Sequence, residues 1–318
     1  MSSPLAGSPG APPAISVTGL RKTYAGRAAV DSLDLQVETG EIFAILGPNG
    51  AGKTTTVEIL EGFRTPDSGS VRVLGEDPAA AGRDWRSRIG VVMQDSRDQP
   101  ELSVTELVHH HATFYPGSRD ADEVIDVVGL REKANTRGRQ LSGGQRRRLV
   151  VALGIVGNPE LLFLDEPTTG FDPQARRSFW ELVLSLREGG TTILLTTHYL
   201  DEAAYLADRV AVVQDGRVVA QGAPGTLGGT QARLPVVHWE VEGQRFSERT
   251  AHPTALVARL AGEVSPAGGE VPGLRVERPS LEDVYLSLIA GAGHPDHSDH
   301  SDHSDHSAQT QPTQETNR

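Results

Sequence analysis

The chain contains no cysteine. That excludes disulfides and cysteine-based zinc sites, and it fits a reducing cytoplasm. A surplus of basic charge is also missing: 42 acids against 30 bases leave a formal net charge of −12. No nucleic-acid partner is therefore expected, because such partners favour a basic surface. Long apolar runs are absent too. The longest candidate, Leu149 to Gly157, is about half of what a bilayer requires, so any membrane role must come through a partner chain. The sequence does not open on a basic region followed by an apolar core, so no signal peptide is expected. Lysine is scarce, with only Lys22, Lys53 and Lys133 among many arginines. That reads as a GC-rich coding bias, and it makes the lysine kept at position 53 more telling.

What is present suffices for one large or two modest domains, at 318 residues and 37% hydrophobic content. Residues 1–14 are Ser, Pro, Gly and Ala with a single Leu, a composition expected to be disordered. Ile15-Ser16-Val17 reads as a short strand, and Val30 to Val37 alternates as a half-buried strand does. Glu41 to Leu46 reads as a buried strand, Thr55 to Gly62 as a helix, Ser70 to Leu74 as a hairpin strand, and Ile89 to Gln94 as another strand. Helical spacing follows over Val104 to Tyr115, Ala121 to Val128 and Gln145 to Ile155, within a helical insertion at about 98–157. Leu161 to Glu166, Thr191 to Thr197 and Val210 to Val213 read as strands that alternate with helices at Pro173 to Arg187 and Leu200 to Ala207. Such alternation implies an α/β fold with a mainly parallel sheet. Ligands sit at the carboxyl ends of such strands, so Gly47, Gln94, Asp165, Glu166 and His198 are expected to converge. Signals thin out past Gly222. Pro235 to Val241 and Leu274 to Glu277 are candidate strands, and Thr254 to Leu260 and Ser280 to Ile289 candidate helices. Residues 229–290 then form a small α/β appendage, and 291–318 a His/Asp/Ser-rich tail.

The densest chemical signal is Gly47-Pro48-Asn49-Gly50-Ala51-Gly52-Lys53-Thr54, between a strand and a helix. It fits a phosphate-binding loop. Its glycines let the backbone curl until N–H groups face one anion, and the helix N-terminus adds a favourable field. Lys53 would reach the β- and γ-phosphates, and the Thr54 hydroxyl would ligate Mg²⁺; Thr55 follows in the first turn. At the exit of a fully apolar strand, Asp165 and Glu166 offer one acid for Mg²⁺ and a second to polarise an attacking water. Ser142, Gly143 and Gly144, followed by Gln145, open a helix and present backbone N–H groups and a hydroxyl to an anion.

Taken together, these motifs resemble those of ATP-binding cassette ATPases, the nucleotide-binding subunits of ABC transporters. The match covers roughly 15–228: the phosphate loop at 47–54, Gln94, Leu141-Ser142-Gly143-Gly144-Gln145, Leu161 to Pro167, Gly170-Phe171-Asp172, and His198, all in the family's order. The resemblance implies a P-loop ATPase core with a small antiparallel β subdomain and a helical subdomain. It implies ATP and Mg²⁺ as ligands, with Tyr24 stacking on adenine and Asp165 supporting the metal. Glu166 is implied as catalytic base, Gln94 as a contact to Mg²⁺ or the lytic water, and His198 as a γ-phosphate contact that orients Glu166. Asp172 is implied to bridge two halves of a homodimer, in which Ser142 to Gln145 close in trans over the loop of a second copy. Phe171 stands where the family usually has Leu, an apolar exchange that touches packing only.

A finer resemblance points to subunits of drug exporters of the daunorubicin-resistance type. It rests on Leu102 to Leu107 and on Pro279 to Leu286, the latter also a capped helix with Leu281, Val284 and Leu288 toward a core. It implies ATP-driven export through a separate membrane permease, at the cytoplasmic face of the membrane, with residues 95–107 as the docking surface. A soluble ABC ATPase and an import subunit are the rival readings. His109-His110-His111 sit on a helix and point in different directions, so they are expected to be filler rather than a metal site. Arg146-Arg147-Arg148 are expected on a solvated helix. The histidines from His294 to His306 recur with Asp between them and are read as a solvated tail, with loose metal binding as the alternative.

Overall fold

The computed structural model describes residues 12–93, 101–264 and 270–292. Strands β1 (Ile15–Tyr24) and β2 (Arg27–Val37) form a hairpin. Its two-residue turn has positive φ at both Ala25 (47°) and Gly26 (82°), the backbone that matches strand twist in tight hairpins. β3 (Ile42–Leu46) leads into α1 (Lys53–Leu60), and β4 (Ser68–Val73) returns to pair with the free edge of β1. The short α2 (Arg83–Ser87) and β5 (Ile89–Val92) follow. Helices α3 (Val104–Ala112), α4 (Ala121–Val127) and α5 (Gly143–Ile155) make up the helical part. Then come β6 (Leu161–Asp165), α6 (Pro173–Glu188), β7 (Thr192–Thr197), α7 (Leu200–Leu206), β8 (Arg209–Gln214) and β9 (Arg217–Gly222).

The central sheet runs β5-β6-β7-β3-β8-β9 and is parallel except for β9. A sheet buried on both faces needs apolar residues at every position, not at alternate ones, and β3 is buried at all five. Because side chains alternate faces, each strand feeds two cores. Ile42, Ala44, Leu46, Leu162, Leu164, Ile193, Leu195, Val210 and Val212 join α3, α4, α5 and α6 in one. Phe43, Ile45, Phe163, Leu194, Ala211 and Val213 join the β2-β1-β4 sheet in the other. The helical part is thus continuous with one face of the central sheet, and the antiparallel sheet covers the opposite face. Phe43 is fully buried between them. Phe43→Ala is expected to cost about 3–5 kcal/mol of stability, read as a lowered urea midpoint with an unchanged slope.

Past β9 come α8 (Gly229–Ala232), β10 (Val236–Val241), β11 (Gln244–Arg249), α9 (Pro253–Val264), β12 (Arg275–Glu277) and α10 (Leu281–Ala292). Strand order β11-β10-β12, with α9 against it, gives a small core of Val237, Leu256, Leu260 and Val271. The stretch 229–290 is not one packing unit. Leu281 and Val284 of α10 are buried in the main core instead, and a Cβ on Gly228 would meet Val284 Cγ1 at 2.7 Å. The helix is capped by Ser280, whose hydroxyl and N–H both meet the Asp283 carboxylate. Among the described residues, no helix is long and apolar enough to cross a membrane.

Candidate nucleotide site

The loop between β3 and α1 is clamped from two sides. A Cβ on Gly47 would sit 2.3 Å from the Val213 carbonyl oxygen, and one on Gly52 would sit 2.2 Å from the Ala29 carbonyl oxygen. Gly52 also has φ +102°, a conformation that favours glycine. Both positions therefore exclude side chains for reasons of tertiary approach as well as local turn geometry. Ala51 N–H donates to the Pro48 carbonyl, and the Ala51 carbonyl accepts from Gly216 N–H, which fixes the loop against the β8–β9 turn. Gly52 caps α1 without any side-chain acceptor. The first-turn N–H groups, including those of Thr54 and Thr55, are thereby left for an external anion.

Lys53 is 7% exposed, and its Nζ donates to the carbonyls of Gly47 (2.7 Å) and Pro48 (3.2 Å). Burial pushes its pKa down, while the charges of Glu166 and Asp165 push it back up. The ammonium is held where an anion would relieve its desolvation. A cavity of about 520 Å³ joins the loop to the acid pair: Asn49, Gly50, Gly52, Lys53, Thr54 and Thr55 form one wall, and Asp165 and Glu166 the other.

The two acids part company at the end of β6. Asp165 Oδ1 accepts from the Thr196 hydroxyl at 2.5 Å. Glu166 has φ +42°, a left-handed backbone that costs a non-glycine residue of order 1–3 kcal/mol. Its N–H still donates to the Thr196 carbonyl at 3.1 Å. That turn brings Glu166 Oε1 to 3.3 Å from His198 Nδ1, and Thr169 Oγ1 donates to Oε2 at 3.4 Å. The convergence expected of Gly47, Asp165, Glu166 and His198 is present. Gln94 lies outside the described residues, as do residues 95–100 of the docking stretch 95–107 and the tail histidines.

A second cavity of about 610 Å³ shares Thr54 and Asp165 with the first, and Glu61, Phe63 and Met93 line it. Burial, reinforced by the charges of Asp165 and Glu58, pushes the Glu61 pKa up from 4.5 to about 8. Between those values the unfolded chain releases a proton that the folded chain keeps, so this group's contribution to stability is lost as pH rises through that window. Glu61→Gln is expected to lose less stability than the parent between pH 4.5 and about 8, in urea melts at both ends.

Ser142 caps α5 and forms a reciprocal box with Gln145: Ser142 N–H donates to Gln145 Oε1 at 3.0 Å, and Gln145 N–H donates to Ser142 Oγ at 3.3 Å. None of Ser142, Gly143, Gly144 or Gln145 lines the phosphate-loop cavity of its own chain. Asp172 caps α6, its Oδ1 accepting from the N–H groups of Gln174 and Ala175. Phe171 packs edge-on against Phe179, with ring centroids 5.7 Å apart. Tyr24 is 40% exposed and lies between Lys22 and Arg64, each about 5.6–5.7 Å from its ring. His109 meets Asp122, whereas His110 and His111 pack edge-on to Phe114.

The expectation that Arg146-Arg147-Arg148 sit on a solvated helix holds for the exposed Arg146 and is corrected for Arg147 and Arg148, which are half-buried. Arg147 donates to the carbonyls of Asp165 (2.7 Å) and Pro167 (3.1 Å), and also to that of Met93. Arg146 and Arg148 donate to the carbonyls of Leu141 and Val128. The signal was available in helical spacing. Arg147 lies four and eight residues before the buried Val151 and Ile155, on the inward stripe of α5. It ties the start of α5 to the segment that carries the acids.

Comparison with known proteins agrees with this geometry. The ABC transporter family model matches residues 30–169. The chain is 40% identical over 310 residues to the daunorubicin/doxorubicin resistance ATP-binding protein DrrA of Streptomyces peucetius, covering 89% of this chain and 93% of that one. It is 37% identical over 300 residues to the Nod factor export ATP-binding protein I of Burkholderia orbicola, covering 86% and 96%. Among solved structures, a component of the cbiONQ ABC transporter complex of Clostridium perfringens aligns with TM-score 0.61 and 29% identity over 67% of this chain and 89% of its own. A dimeric ATP-binding cassette bound to ADP and Pi, in a post-hydrolysis state, aligns with TM-score 0.60 and 26% identity over 66% and 98%. With 40% identity to such a subunit over 89% of its length and the cassette fold of the solved structures, the chain belongs to the ATP-binding subunits of ABC transporters, which are ATPases.

Proposed function

We propose that this ATPase drives export of a drug-like or other hydrophobic compound through a separate membrane permease, at the cytoplasmic face of the membrane. The observation that carries the reading is the extent of the likeness. Relatives named for drug resistance and for Nod factor export align over 86–89% of the chain, well past the cassette and into the C-terminal region. The absence of any membrane-crossing helix among the described residues is consistent with a permease on a separate chain.

In this reading ATP lies along the phosphate loop, with adenine on Tyr24 and the phosphates against Lys53 and the first turn of α1. Thr54 and Asp165 present oxygen donors to one cavity, the hard donor type that suits Mg²⁺. The ion, when bound, neutralises charge on the phosphates. Glu166 takes the proton of the attacking water as its oxygen bonds to the γ-phosphorus and the bond to the bridging oxygen of ADP breaks. His198, 3.3 Å from Glu166, orients that carboxylate and contacts the γ-phosphate. Gln94 is assigned to the Mg²⁺ or the lytic water. Ser142, Gly143, Gly144 and Gln145 complete the site from a second copy, and Asp172 lies at the same dimer interface.

The test is co-purification of the full chain with a co-expressed candidate permease, followed by ATPase measurement with and without candidate compounds. Export predicts a membrane-bound complex whose hydrolysis rises with its compound. A chain that stays soluble with every candidate permease would end the transporter reading while leaving its ATPase activity untouched.

A further inference from the structure

Glu202 is a buried carboxyl that none of the roles above uses. It lies in the first turn of α7 and is 0% exposed, where an ionisable group is costly unless hydrogen-bonded. Its Oε1 accepts from Thr168 Oγ1 at 2.9 Å and from Trp180 Nε1 at 3.1 Å, both buried contacts. Burial raises its pKa, and the hydroxyl of Thr197, then Thr168 and the Trp180 indole, work against that rise. Glu202 Oε2 has no hydrogen-bond partner among the described residues, and Thr197 Oγ1 accepts the Tyr199 N–H at 3.0 Å at the turn from β7 into α7. Thr168 and Thr197 are 1% and 0% exposed.

The positions of these donors give the cluster its meaning. Thr168 stands two residues after Glu166, and Glu202 itself stands four residues after His198. β6 and β7 are paired as far as Asp165 and Thr196. Beyond that pair the backbone turns left-handed at Glu166, and the sheet ladder no longer dictates how the two strand exits sit relative to each other. Glu202 is where they are tied again. We propose that Glu202 is a positioning residue: from the first turn of α7, the helix that follows His198, it holds Thr168 in the segment after Glu166, and so keeps Glu166 and His198 at their 3.3 Å contact. The inference rests on the reading of those two residues as base and orienting histidine.

A purely structural role would make the two donors, Thr168 and Trp180, equivalent. A positioning role separates them, because Trp180 belongs to α6 and adjoins neither reacting residue. The experiment measures kcat and KM for ATP, with urea midpoints, on the full chain carrying Thr168→Val, Trp180→Phe, Glu202→Gln or Glu202→Ala, with Glu166→Gln in parallel. Displacing a catalytic group by about 1 Å costs on the order of 100-fold in rate. Thr168→Val and Glu202→Ala are accordingly expected to lower kcat about tenfold or more while KM changes less than about twofold. Glu202→Gln keeps the accepting oxygen and should restore most of kcat. Trp180→Phe should lower the urea midpoint and leave kcat near the parent. Thr168→Val is a mild change and carries the test if Glu202→Ala does not fold. A folded Thr168→Val protein with parental kcat overturns the proposal, as does an equal loss of kcat in Thr168→Val and Trp180→Phe that follows their stability. Turnover by Glu166→Gln at the parental rate would instead overturn the underlying assignment of the base.

Discussion

Glu166→Gln is expected to bind ATP and fail to turn it over. The substitution keeps the size of the side chain and its acceptor oxygen but removes the basicity. Its left-handed backbone, fixed by the bond from Glu166 N–H to the Thr196 carbonyl, should be unaffected. The phosphate loop and Lys53 are untouched, so nucleotide affinity should stay close to the parent. A positioned general base contributes about 10²–10⁴-fold to rate, and steady-state hydrolysis should fall by that range. Single-turnover measurement with labelled ATP, beside equilibrium nucleotide binding, separates the two quantities. Hydrolysis near the parental rate would remove Glu166 from the role of base. His198→Ala is the companion case, expected to weaken hydrolysis by loss of orientation at the 3.3 Å contact.

Mixing a Lys53→Ala protein with a Ser142→Arg protein is expected to restore hydrolysis that neither variant performs alone. Lys53 faces the phosphate-loop cavity, whereas Ser142 to Gln145 do not line the cavity of their own chain. If a second copy supplies them, a mixed dimer holds one site with both lesions and one with neither. If each chain completes its own site, both chains stay defective and the mixture shows only the mean of the two. Lys53→Ala loses charge-assisted contacts to phosphate, and removal of one such stabilising group costs about 10²–10³ in rate, so the background is low enough for the recovery to be seen. Light scattering with and without ATP completes the experiment: ATP should drive Glu166→Gln chains into dimers, because the occluded nucleotide is not consumed. Absence of both ATP-dependent dimerisation and recovery would sink the shared site.

Much of the site is legible because its chemistry is local. The phosphate loop is contiguous, Asp165 and Glu166 announce themselves as acids at the end of an apolar strand, and Ser142 with Gln145 is a capping box made within four consecutive residues. The strands of the central sheet read clearly because both faces are buried, which leaves continuous apolar runs. β11 is the opposite case. All six of its residues are exposed, so Gln244 to Arg249 carries no apolar alternation, and only pairing with β10 makes it a strand. Arg147 is hard to read as a half-buried anchor, because its charge outweighs its place on the inward stripe of α5.

The amino-acid order by itself determined the family, the phosphate loop, the acid pair, the histidine and the alternation of strands with helices, since each depends on neighbours within a few residues. Only the tertiary structure decided which distant groups meet. It closed Ala29 and Val213 on Gly52 and Gly47, turned Glu166 left-handed toward His198, drew Arg147 onto the carbonyls around the acids, seated α10 in the main core, and brought Thr168 and Trp180 onto Glu202. Those contacts join positions far apart in the chain, and no local propensity encodes them. They follow from which faces the sheet and helices must bury together, and from the need to satisfy every polar group that such burial removes from water.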